Sequence, residues 1–413
     1  MDAGTALDRT VAHCMMRLLW VKAGKLLPVD TGGKIRSFNI MRHLATRHEL
    51  TVLSYYHGVP DEQYEEDLRR EFPGAVVVAV TERSGAVPQA LHYARRFPRV
   101  APYSVSKFTS PQVRERLAQI INERNPHVTV CDFLAASLNF PRQPITPSVL
   151  FQHNVESALW QRQARHEGNI AKRLVFTLEA AKMRRYETAA LGRFQHVIAV
   201  SDHDRALMAR MSPGTAITVV PTGVDVAYYR RDDAERSSRP LVMFLGSMDW
   251  PANIDGVEYF CANIWPEVVA RVPDAMFEVV GRHPPLRIRR LGSDSVKIVG
   301  GVTSVVPHLH SASVFVVPLR IGGGTRLKIY EAMAAALPIV STRVGAEGLD
   351  VTNGQDIVIE DDPHEFAEAL IGLLQSNAQR RMIGDAAATT AARFDWSVIT
   401  TAFESVLERV MAE

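Results

Sequence analysis

The chain has 413 residues, of which 46% are apolar and 22% charged, and its formal net charge is +2. This composition is typical of a globular protein with two or three domains, and the near-neutral charge gives no indication of a nucleic-acid partner. The three cysteines, Cys14, Cys131 and Cys261, have neither metal-site nor disulfide spacing, which favours a reducing cytoplasm.

The first half of the chain alternates apolar strand patterns with helical ones. Residues 1–15 lack the long apolar segment of a secretory signal and are interpreted as a flexible extension. A strand is predicted from Arg17 to Ala23 and a helix from about Ile35 to Arg47. Further strand candidates are ELTVLSYY, AVVVAV, VTVCD, PSVLFQ and HVIAV. Because continuous apolar strands separated by helices are typical of parallel sheets, residues 16–225 are predicted to form a doubly wound, Rossmann-like α/β domain.

The second half repeats this alternation after a polar segment. Residues 226–239 lack a strand pattern and are interpreted as a linker. The strand candidates that follow it are PLVMFLG, AMFEVVG, VKIVG, SVFVVPL, LPIVST and DIVIE. Residues 240–396 are therefore predicted to be a second Rossmann-like domain, and residues 397–413 a terminal helix. Ligands bind at the carboxyl ends of such strands, so we expect the site in a cleft between the domains. No run of about 18 apolar residues predicts a membrane-spanning helix.

A glycine-rich turn after the strand SVFVVPL has the features of a phosphate site. Gly322, Gly323 and Gly324 leave the backbone bare, and Thr325 is a plausible N-cap for a helix from Arg326 to Ala336. A helix N-terminus attracts anions, and the cations of Arg326 and Lys328 strengthen that attraction. These features together suit a phosphate or diphosphate.

The helical spacing divides the residues after this turn between two faces. Leu327, Tyr330 and Ala334 are predicted to pack on the sheet, whereas Lys328 and Glu331 share another face. Glu331 is then an acceptor suited to ribose hydroxyls. The alternative is an ordinary turn in which Lys328 and Glu331 form a surface pair worth about 0.2–0.5 kcal/mol. Neither the P-loop pattern nor the dinucleotide fingerprint is present.

The segment IGGGTRLKIYEAMAAALPIVSTRVGAEG, residues 321–348, closely resembles the donor-binding segment of the retaining GT-B glycosyltransferases of family 4. PVDTGGKIRSFNIMRHLA, LFQHNVESALWQR, HVIAVSDHDRALM, VVPTGVD and FLGSMDWPANIDGVEYF agree with that family in order. The resemblance runs from about Met16 to the C-terminus. It is greatest to a subgroup that serves exopolysaccharide and cell-envelope assembly in bacteria, and it implies a GT-B fold whose last helix returns to the first domain.

The resemblance implies how a nucleotide-sugar donor is bound in the second domain. Glu331 matches the second acid of the family's E-x7-E motif, which binds the donor ribose. The first acid of the motif is replaced by Gly323. The Arg and Lys that many relatives carry after the first strand of this domain are also absent, so Arg326 and Lys328 are the expected diphosphate ligands. Gly246 and Asn253 flank that segment and are assigned to donor contact.

The first domain is implied to hold the acceptor, a glycan or a lipid-linked molecule. Gly32, Gly33 and Lys34 open the helix after the first strand and are predicted to face the cleft. His153 follows PSVLFQ and matches the family's active-site histidine, which would position and polarise the reacting groups. The alternatives are a plain turn for the glycines and a structural role for the histidine.

The implied reaction needs no metal or other cofactor, because Arg326 and Lys328 neutralise the leaving diphosphate. Two alternatives remain open. One is another GT-B enzyme, such as a nucleotide-sugar epimerase or a glycoside phosphorylase. The other is a bilobal binding protein without catalysis.

Residues 157–193 are a candidate for peripheral contact with an anionic membrane. The segment has eight Lys and Arg against three Glu, a local charge of +5, interleaved with Trp160, Leu174, Val175 and Phe176. Basic helices with apolar side chains bind anionic lipid. The alternative is a solvated helix pair.

Overall fold

The computed structural model describes residues 15–81, 101–143, 145–231, 240–321 and 327–413, with the backbone alone for His166. These residues form a seven-stranded and a six-stranded sheet in which all neighbouring strands are parallel, as the apolar strand patterns predict. The first sheet contains β1 Arg17–Ala23, β2 Glu49–His57, β3 Val76–Val80, β4 Val128–Asp132, β5 Ser148–Phe151, β6 His196–Ala199 and β7 Ile217–Val219. The second contains β8 Leu241–Leu245, β9 Met276–Val280, β10 Val296–Gly300, β11 Val314–Val317, β12 Ile339–Ser341 and β13 Val358–Ile359.

Each sheet changes winding direction at one point, where a crevice opens at the carboxyl ends of the strands. The strand order is β3-β2-β1-β4-β5-β6-β7 in the first sheet and β10-β9-β8-β11-β12-β13 in the second. The change of direction therefore lies between β1 and β4 in one domain, and between β8 and β11 in the other. These are the positions at which doubly wound sheets bind ligands.

Helices cover the faces of both sheets. In the first half they are Gly32–Ala45, Glu62–Glu71, Tyr103–Ser106, Pro111–Arg124, Glu156–His166, Ile170–Leu191, Asp202–Met211 and Val226–Tyr229, with a 3-10 helix at Leu134–Asn139. In the second half they are Pro251–Asn263, Trp265–Arg271, Leu286–Arg289, Val306–Ser311, Leu327–Ala334, Pro363–Gln375, Asn377–Ala392 and Trp396–Ala412. None of the helices in the described ranges has the length and apolarity that crossing a bilayer requires.

The segment interpreted as a linker is structured where it is described. Residues 226–229 form a short helix, and Arg231 donates to the carbonyl oxygens of His310 and Ala312, both at 3.1 Å. This part of the chain therefore belongs to the surface of the second domain. Strand β7 is absent from the sequence prediction, and its three residues are only half-buried.

The helix Trp396–Ala412 follows the second domain in sequence but packs on the first. Phe403 stacks on Trp20 of β1 with ring centroids 5.5 Å apart, and buried Glu404 accepts from His48 at 2.8 Å. The chain returns beside its first crossing, where the Val224 amide donates to the Phe394 carbonyl at 2.8 Å. Gly223 is required here, because a Cβ would lie 2.4 Å from the Trp396 ring.

Candidate active site in the interdomain cleft

A cleft of about 890 Å³ lies between the two sheets and joins the two points at which their winding changes. Residues from the ends of β1, β4 and β5 line one side, and residues from the ends of β8 and β11 line the other. Every predicted site residue within the described part of the chain lines this cleft: Gly32, Gly33, Lys34, His153, Gly246, Asn253, Lys328 and Glu331. Gly322, Gly323, Gly324, Thr325 and Arg326 lie outside the described residues.

A buried network of charged side chains forms the floor of the cleft in the first domain. Asp132 ends β4 and accepts from Lys22 of β1 at 2.9 Å and from Trp20 at 3.0 Å. His153, two residues after β5, contacts Asp132 through Nε2 at 2.8 Å and Arg36 through Nδ1 at 3.0 Å. The three strands are neighbours, so their parallel register brings these residues to one edge of the sheet.

The partners of His153 determine its tautomer. Because a guanidinium can only donate, Nδ1 accepts from Arg36, and Nε2–H donates to the Asp132 carboxylate. Burial lowers the pKa of His153 to about 3, so the ring is neutral at physiological pH. Burial favours the neutral form of Asp132 as well, but the Lys22 ammonium and the bond from His153 hold the pKa of Asp132 well below its ordinary value. The pair is therefore a carboxylate and a neutral imidazole.

Phe133 explains the glycine that opens the neighbouring helix. Its ring stacks on His153 with centroids 3.7 Å apart, and its backbone has a φ of 69°, which is unusual for a residue with a Cβ. A Cβ on Gly33 would lie 2.5 Å from this ring, and one on Gly32 would lie 3.2 Å from Leu327. The two glycines make room for protein side chains as well as facing the cleft.

Lys34 is tied to the loop that precedes its helix. Its ammonium contacts the Asp30 carboxylate and donates to the Pro28 carbonyl, both at 3.0 Å. The side chain is nevertheless part of the cleft lining. It therefore contributes a partly neutralised positive charge to the acceptor side.

On the opposite side of the cleft, Lys328 is positioned by an amide. Its ammonium donates to Asn253 Oδ1 at 3.0 Å and lies 4.2 Å from the centre of the Phe244 ring. The amide nitrogen of Asn253 donates in turn to the Ser247 carbonyl at 2.8 Å. Gly246 permits this arrangement, because a Cβ there would lie 2.7 Å from the Asn253 side chain. Asn253 is therefore a hydrogen-bond partner of Lys328, and Gly246 makes room for the Asn253 side chain. Their assignment to donor contact stays a prediction.

Glu331 lies one turn after Lys328, and a residue at the start of the second domain holds its carboxylate. Tyr229 donates to its carboxylate at 3.0 Å, and burial raises the pKa of Glu331. The shared face of Lys328 and Glu331 is as predicted, and both side chains are partly buried in the cleft. This geometry argues against the exposed surface pair.

The predicted packing face of this helix is partly wrong. Tyr330 and Ala334 are buried, as expected, but Leu327 is only partly buried and lines the cleft. The described helix spans Leu327–Ala334, so Leu327 lies in its first turn, at the end that points into the cleft. Its side chain meets Gly32 of the other domain instead of the sheet below.

Arg282 is a cation of the cleft region that the sequence analysis missed. It follows β9 by two residues and donates to the Ser247 hydroxyl at 3.1 Å. Its guanidinium also lies 3.8 Å from the carboxylate of Asp30 in the first domain. A basic residue directly after an apolar strand, as in VVGRHP, is the sequence feature that could have indicated it.

Glu156 opens the helix that follows His153 and lies beside a second buried acid. Glu187 accepts from the amides of Glu156 and Ser157 at 2.8 and 3.0 Å. Burial, assisted by the Glu187 carboxylate, raises the pKa of Glu156 to about 7. At neutral pH this carboxyl group is poised between its two protonation states.

We expect Glu156→Gln to become more stable relative to the wild type as the pH rises from 5 to 8. Between about pH 4.5 and 7 the folded state keeps a proton that the unfolded state has released, so ionised Glu156 lowers stability above this window. The expected gain is about 1.4 kcal/mol for each unit of pKa difference. Urea unfolding at the two pH values measures it. Exposed Glu115→Gln is the control, and a pH-independent difference for Glu156→Gln would contradict the assignment.

Two family models match the chain, one on each domain. The model described as Glycosyltransferase Family 4 matches residues 31–228, and the model described as Glycosyl transferases group 1 matches residues 239–376. The matched ranges contain nearly all strands of both sheets and the residues that face each other across the cleft. The chain belongs to glycosyltransferase family 4. The resemblance found in the sequence is thereby confirmed.

Known proteins related to this family 4 glycosyltransferase differ in how much of it they cover. Phosphatidyl-myo-inositol mannosyltransferase of Mycolicibacterium smegmatis is 30% identical over 58% of this chain and 62% of its own length. An uncharacterized 44.6 kDa protein in the cps region of Klebsiella pneumoniae is 22% identical over 86% of this chain and 90% of its own length. The chain thus spans less than two thirds of the mannosyltransferase.

Solved structures share the architecture of this family 4 glycosyltransferase over nearly its whole length. Sucrose-phosphate synthase from Thermosynechococcus elongatus matches with a TM-score of 0.69 and 16% identity, covering 96% of this chain and 99% of that protein. HepE of Anabaena, in complex with UDP, matches with a TM-score of 0.65 and 14% identity, covering 95% and 100%. At these identities the likeness shows the fold, which is GT-B.

Proposed function

We propose that this family 4 glycosyltransferase transfers a sugar from a nucleoside-diphosphate sugar to a hydroxyl group of a glycan or lipid-linked acceptor, with retention of anomeric configuration. The observation that carries the proposal is the position of Lys328 and Glu331 opposite His153 in one cleft. In this proposal Lys328 contacts the diphosphate and Glu331 the ribose from one side of the cleft, and neutral His153 lies on the other. Polysaccharide or cell-envelope assembly is the proposed pathway.

In the proposed reaction the bond between the anomeric carbon and the diphosphate breaks, and the acceptor oxygen bonds to that carbon on the same face. The proton of the acceptor hydroxyl passes to the departing phosphate oxygen. Lys328, together with Arg326, stabilises the charge that develops on the diphosphate. These two cations take the place of a metal ion, and no cofactor enters the proposal.

The nucleoside of the donor fits a recess beside the cleft. This recess of about 500 Å³ lies at the carboxyl ends of β9 and β10 and is lined by Pro284, Ile298 and Val299. Arg282 lines it as well and contacts Ser247, which lines the cleft. A base in the recess would leave its ribose and diphosphate directed towards Glu331 and Lys328. HepE of Anabaena was solved with UDP, which supports a donor of this class.

A panel of UDP-, GDP-, ADP- and dTDP-sugars tests the proposal. One nucleotide sugar should raise the melting temperature, because a ligand that binds only the folded state stabilises it. Free nucleoside diphosphate should then be released in proportion to added acceptor, and NMR of the product should show the anomeric configuration of the donor. An epimerase would convert the donor without acceptor. A binding protein would shift the melting temperature and release no nucleotide.

The helix hairpin Glu156–His166 and Ile170–Leu191 supports a peripheral position at the inner face of the cell membrane. Ile170, Leu174 and Leu178 are spaced by four residues on one helix face and are 76%, 62% and 43% exposed. Lys172, Arg173, Arg184 and Arg185 are exposed on the same helix, whereas Glu179 and Glu187 are buried. The exposed surface of this hairpin therefore carries a larger excess of positive charge than the count over residues 157–193 indicates.

Other residues of the predicted membrane segment make contacts within the helix hairpin. Trp160 packs edge to face on Phe176 with centroids 5.8 Å apart, and Lys182 pairs with Glu179 at 3.2 Å. The proposed lipid contact is therefore limited to exposed Ile170, Leu174 and Leu178 and to the exposed cations on the same helix.

We expect the protein to sediment with vesicles that contain anionic lipid, and less so as salt is added. Each well-placed cation contributes about 1 kcal/mol to such binding. Leu174→Glu should reduce sedimentation because it removes apolar contact and adds a negative charge. Leu286→Glu, at a leucine equally exposed in the second domain, is the matched control. Sedimentation that ignores both salt and Leu174→Glu would rule out this surface.

A further inference from the structure

A second large cavity opens beside the candidate active site and shares Trp250 with it. This groove has a volume of about 1110 Å³ and runs between the helix Glu156–His166 of the first domain and three loops of the second. The Trp250 side chain is 53% exposed at the junction, and Ile321 is 41% exposed in the groove. Exposed apolar side chains in a concave site mark a position for an apolar ligand.

The groove is lined mainly by apolar side chains from both domains. They are Leu159, Trp250, Pro251, Ala252, Ile321, Val344, Ala346, Leu349, Val351 and Ile359. Gln163, Glu347 and three arginines complete the lining. Arg320 forms a two-point contact with Asp255 at 2.6 and 3.1 Å, Arg343 lies 3.3 Å from Asp361, and Arg162 is engaged as well. Because most of the wall is apolar and the arginines have partners of their own, the groove favours a hydrocarbon chain over an anionic group.

We infer that this groove holds the hydrocarbon chain of an amphiphilic acceptor while its polar head enters the cleft at Trp250. The inference rests on the proposed transferase function and specifies its acceptor as a molecule with a long aliphatic or isoprenoid chain. A hydrophilic glycan would leave the apolar walls exposed to water. Each methylene that the walls bury should strengthen binding by about fourfold, so the chain length sets the affinity.

The route from a membrane to the groove follows from the helix hairpin. Leu159 of the groove lies on the helix Glu156–His166, which packs against the helix that carries exposed Leu174. One wall of the groove and the proposed lipid contact thus belong to the same hairpin. An acceptor anchored in a bilayer can place its head in the cleft with part of its chain withdrawn into the groove.

Binding of decyl maltoside below its micelle concentration tests the groove, with maltose as the head-group control. Isothermal titration of the full-length protein should show one saturable site for decyl maltoside and none for maltose. Leu159→Glu and Val344→Glu, one on each wall, should each weaken binding at least tenfold. Leu286→Glu, a matched change at an exposed leucine outside both surfaces, should leave the affinity unchanged. Melting curves identify any variant that fails to fold, and the variant on the opposite wall then provides the test.

Two results overturn the inference: wild-type affinity in both folded wall variants, or a loss of binding in Leu174→Glu alone. The second would assign the chain to the hairpin surface. UDP titration of the same samples separates a failure of the groove inference from a failure of the proposed transferase function. Wall variants that lose decyl maltoside but bind the nucleotide normally support the groove. A protein that binds decyl maltoside in the groove but turns over no nucleotide sugar refutes the transferase proposal and leaves the apolar site standing.

Discussion

Lys328→Ala is expected to lower kcat by about 10²–10³-fold, the usual effect of removing one group that stabilises developing charge. The negative charge on the diphosphate grows as the glycosidic bond breaks, so contact with the Lys328 ammonium strengthens on the way to the transition state. The donor KM should therefore change less than kcat. Steady-state kinetics over a range of donor concentrations separate the two quantities.

The hydrogen bond from Lys328 to Asn253 allows a second, milder test of the same ammonium group. Asn253→Ala leaves the ammonium present but removes its 3.0 Å partner, so kcat should fall less than in Lys328→Ala. Lys297→Ala is a matched control, because this lysine is exposed on β10 and pairs with Glu278 at 3.3 Å. Wild-type kinetics in Lys328→Ala would refute the diphosphate role and favour the surface-pair interpretation.

Glu331→Ala should show the opposite kinetic pattern. Its proposed ribose contact is the same in the ground state and the transition state, so the donor KM should carry most of the loss. Tyr229→Phe removes the bond that orients this carboxylate at 3.0 Å and should raise KM to a smaller extent. A fall in kcat alone would place Glu331 at the reacting bond instead.

His153→Ala is expected to lower turnover by about 10²–10⁴-fold, the span for losing a positioned polar catalyst. Donor affinity should hardly change, because His153 belongs to the opposite domain. The change also removes one buried partner each from Asp132 and Arg36, so the melting temperature should fall as well. Turnover must therefore be measured well below the melting temperature of the variant.

His196→Ala separates the catalytic from the structural effect. His196 is equally buried in the same sheet, but it begins β6 at the edge away from the cleft and contacts Thr218 at 2.9 Å. The His196→Ala substitution should lower the melting temperature and leave turnover near the wild-type value. If His153→Ala behaves in the same way, His153 is a structural residue and the assignment is wrong.

The strands and the cleft were predictable because they depend on local pattern. Apolar runs separated by helical spacing define the parallel sheets, and parallel sheets place their ligands at carboxyl ends. Lys328 and Glu331 were found in the same way, since helical spacing alone puts them on one face. Leu327 was misassigned because that spacing does not distinguish the sheet below a helix from the domain opposite its first turn.

The network under His153 was not predictable, because its members are far apart in sequence. Lys22 lies near the end of β1, Arg36 near the start of the helix Gly32–Ala45, and Asp132 at the end of β4. Only the folded chain makes these three residues neighbours. The contact between Tyr229 and Glu331 spans 102 positions and has no local sequence feature. A charged residue at the end of an apolar strand, as in VTVCD, is the nearest indication that sequence provides for Asp132.

The return of the terminal helix means that the first lobe is not a continuous piece of chain. A single cut between the domains would strip Phe403 from Trp20 and Glu404 from His48, leaving the N-terminal fragment with an open apolar face. The two crossings lie side by side, paired at Val224 and Asp395. The isolated N-terminal lobe would need residues 394–413 supplied in trans.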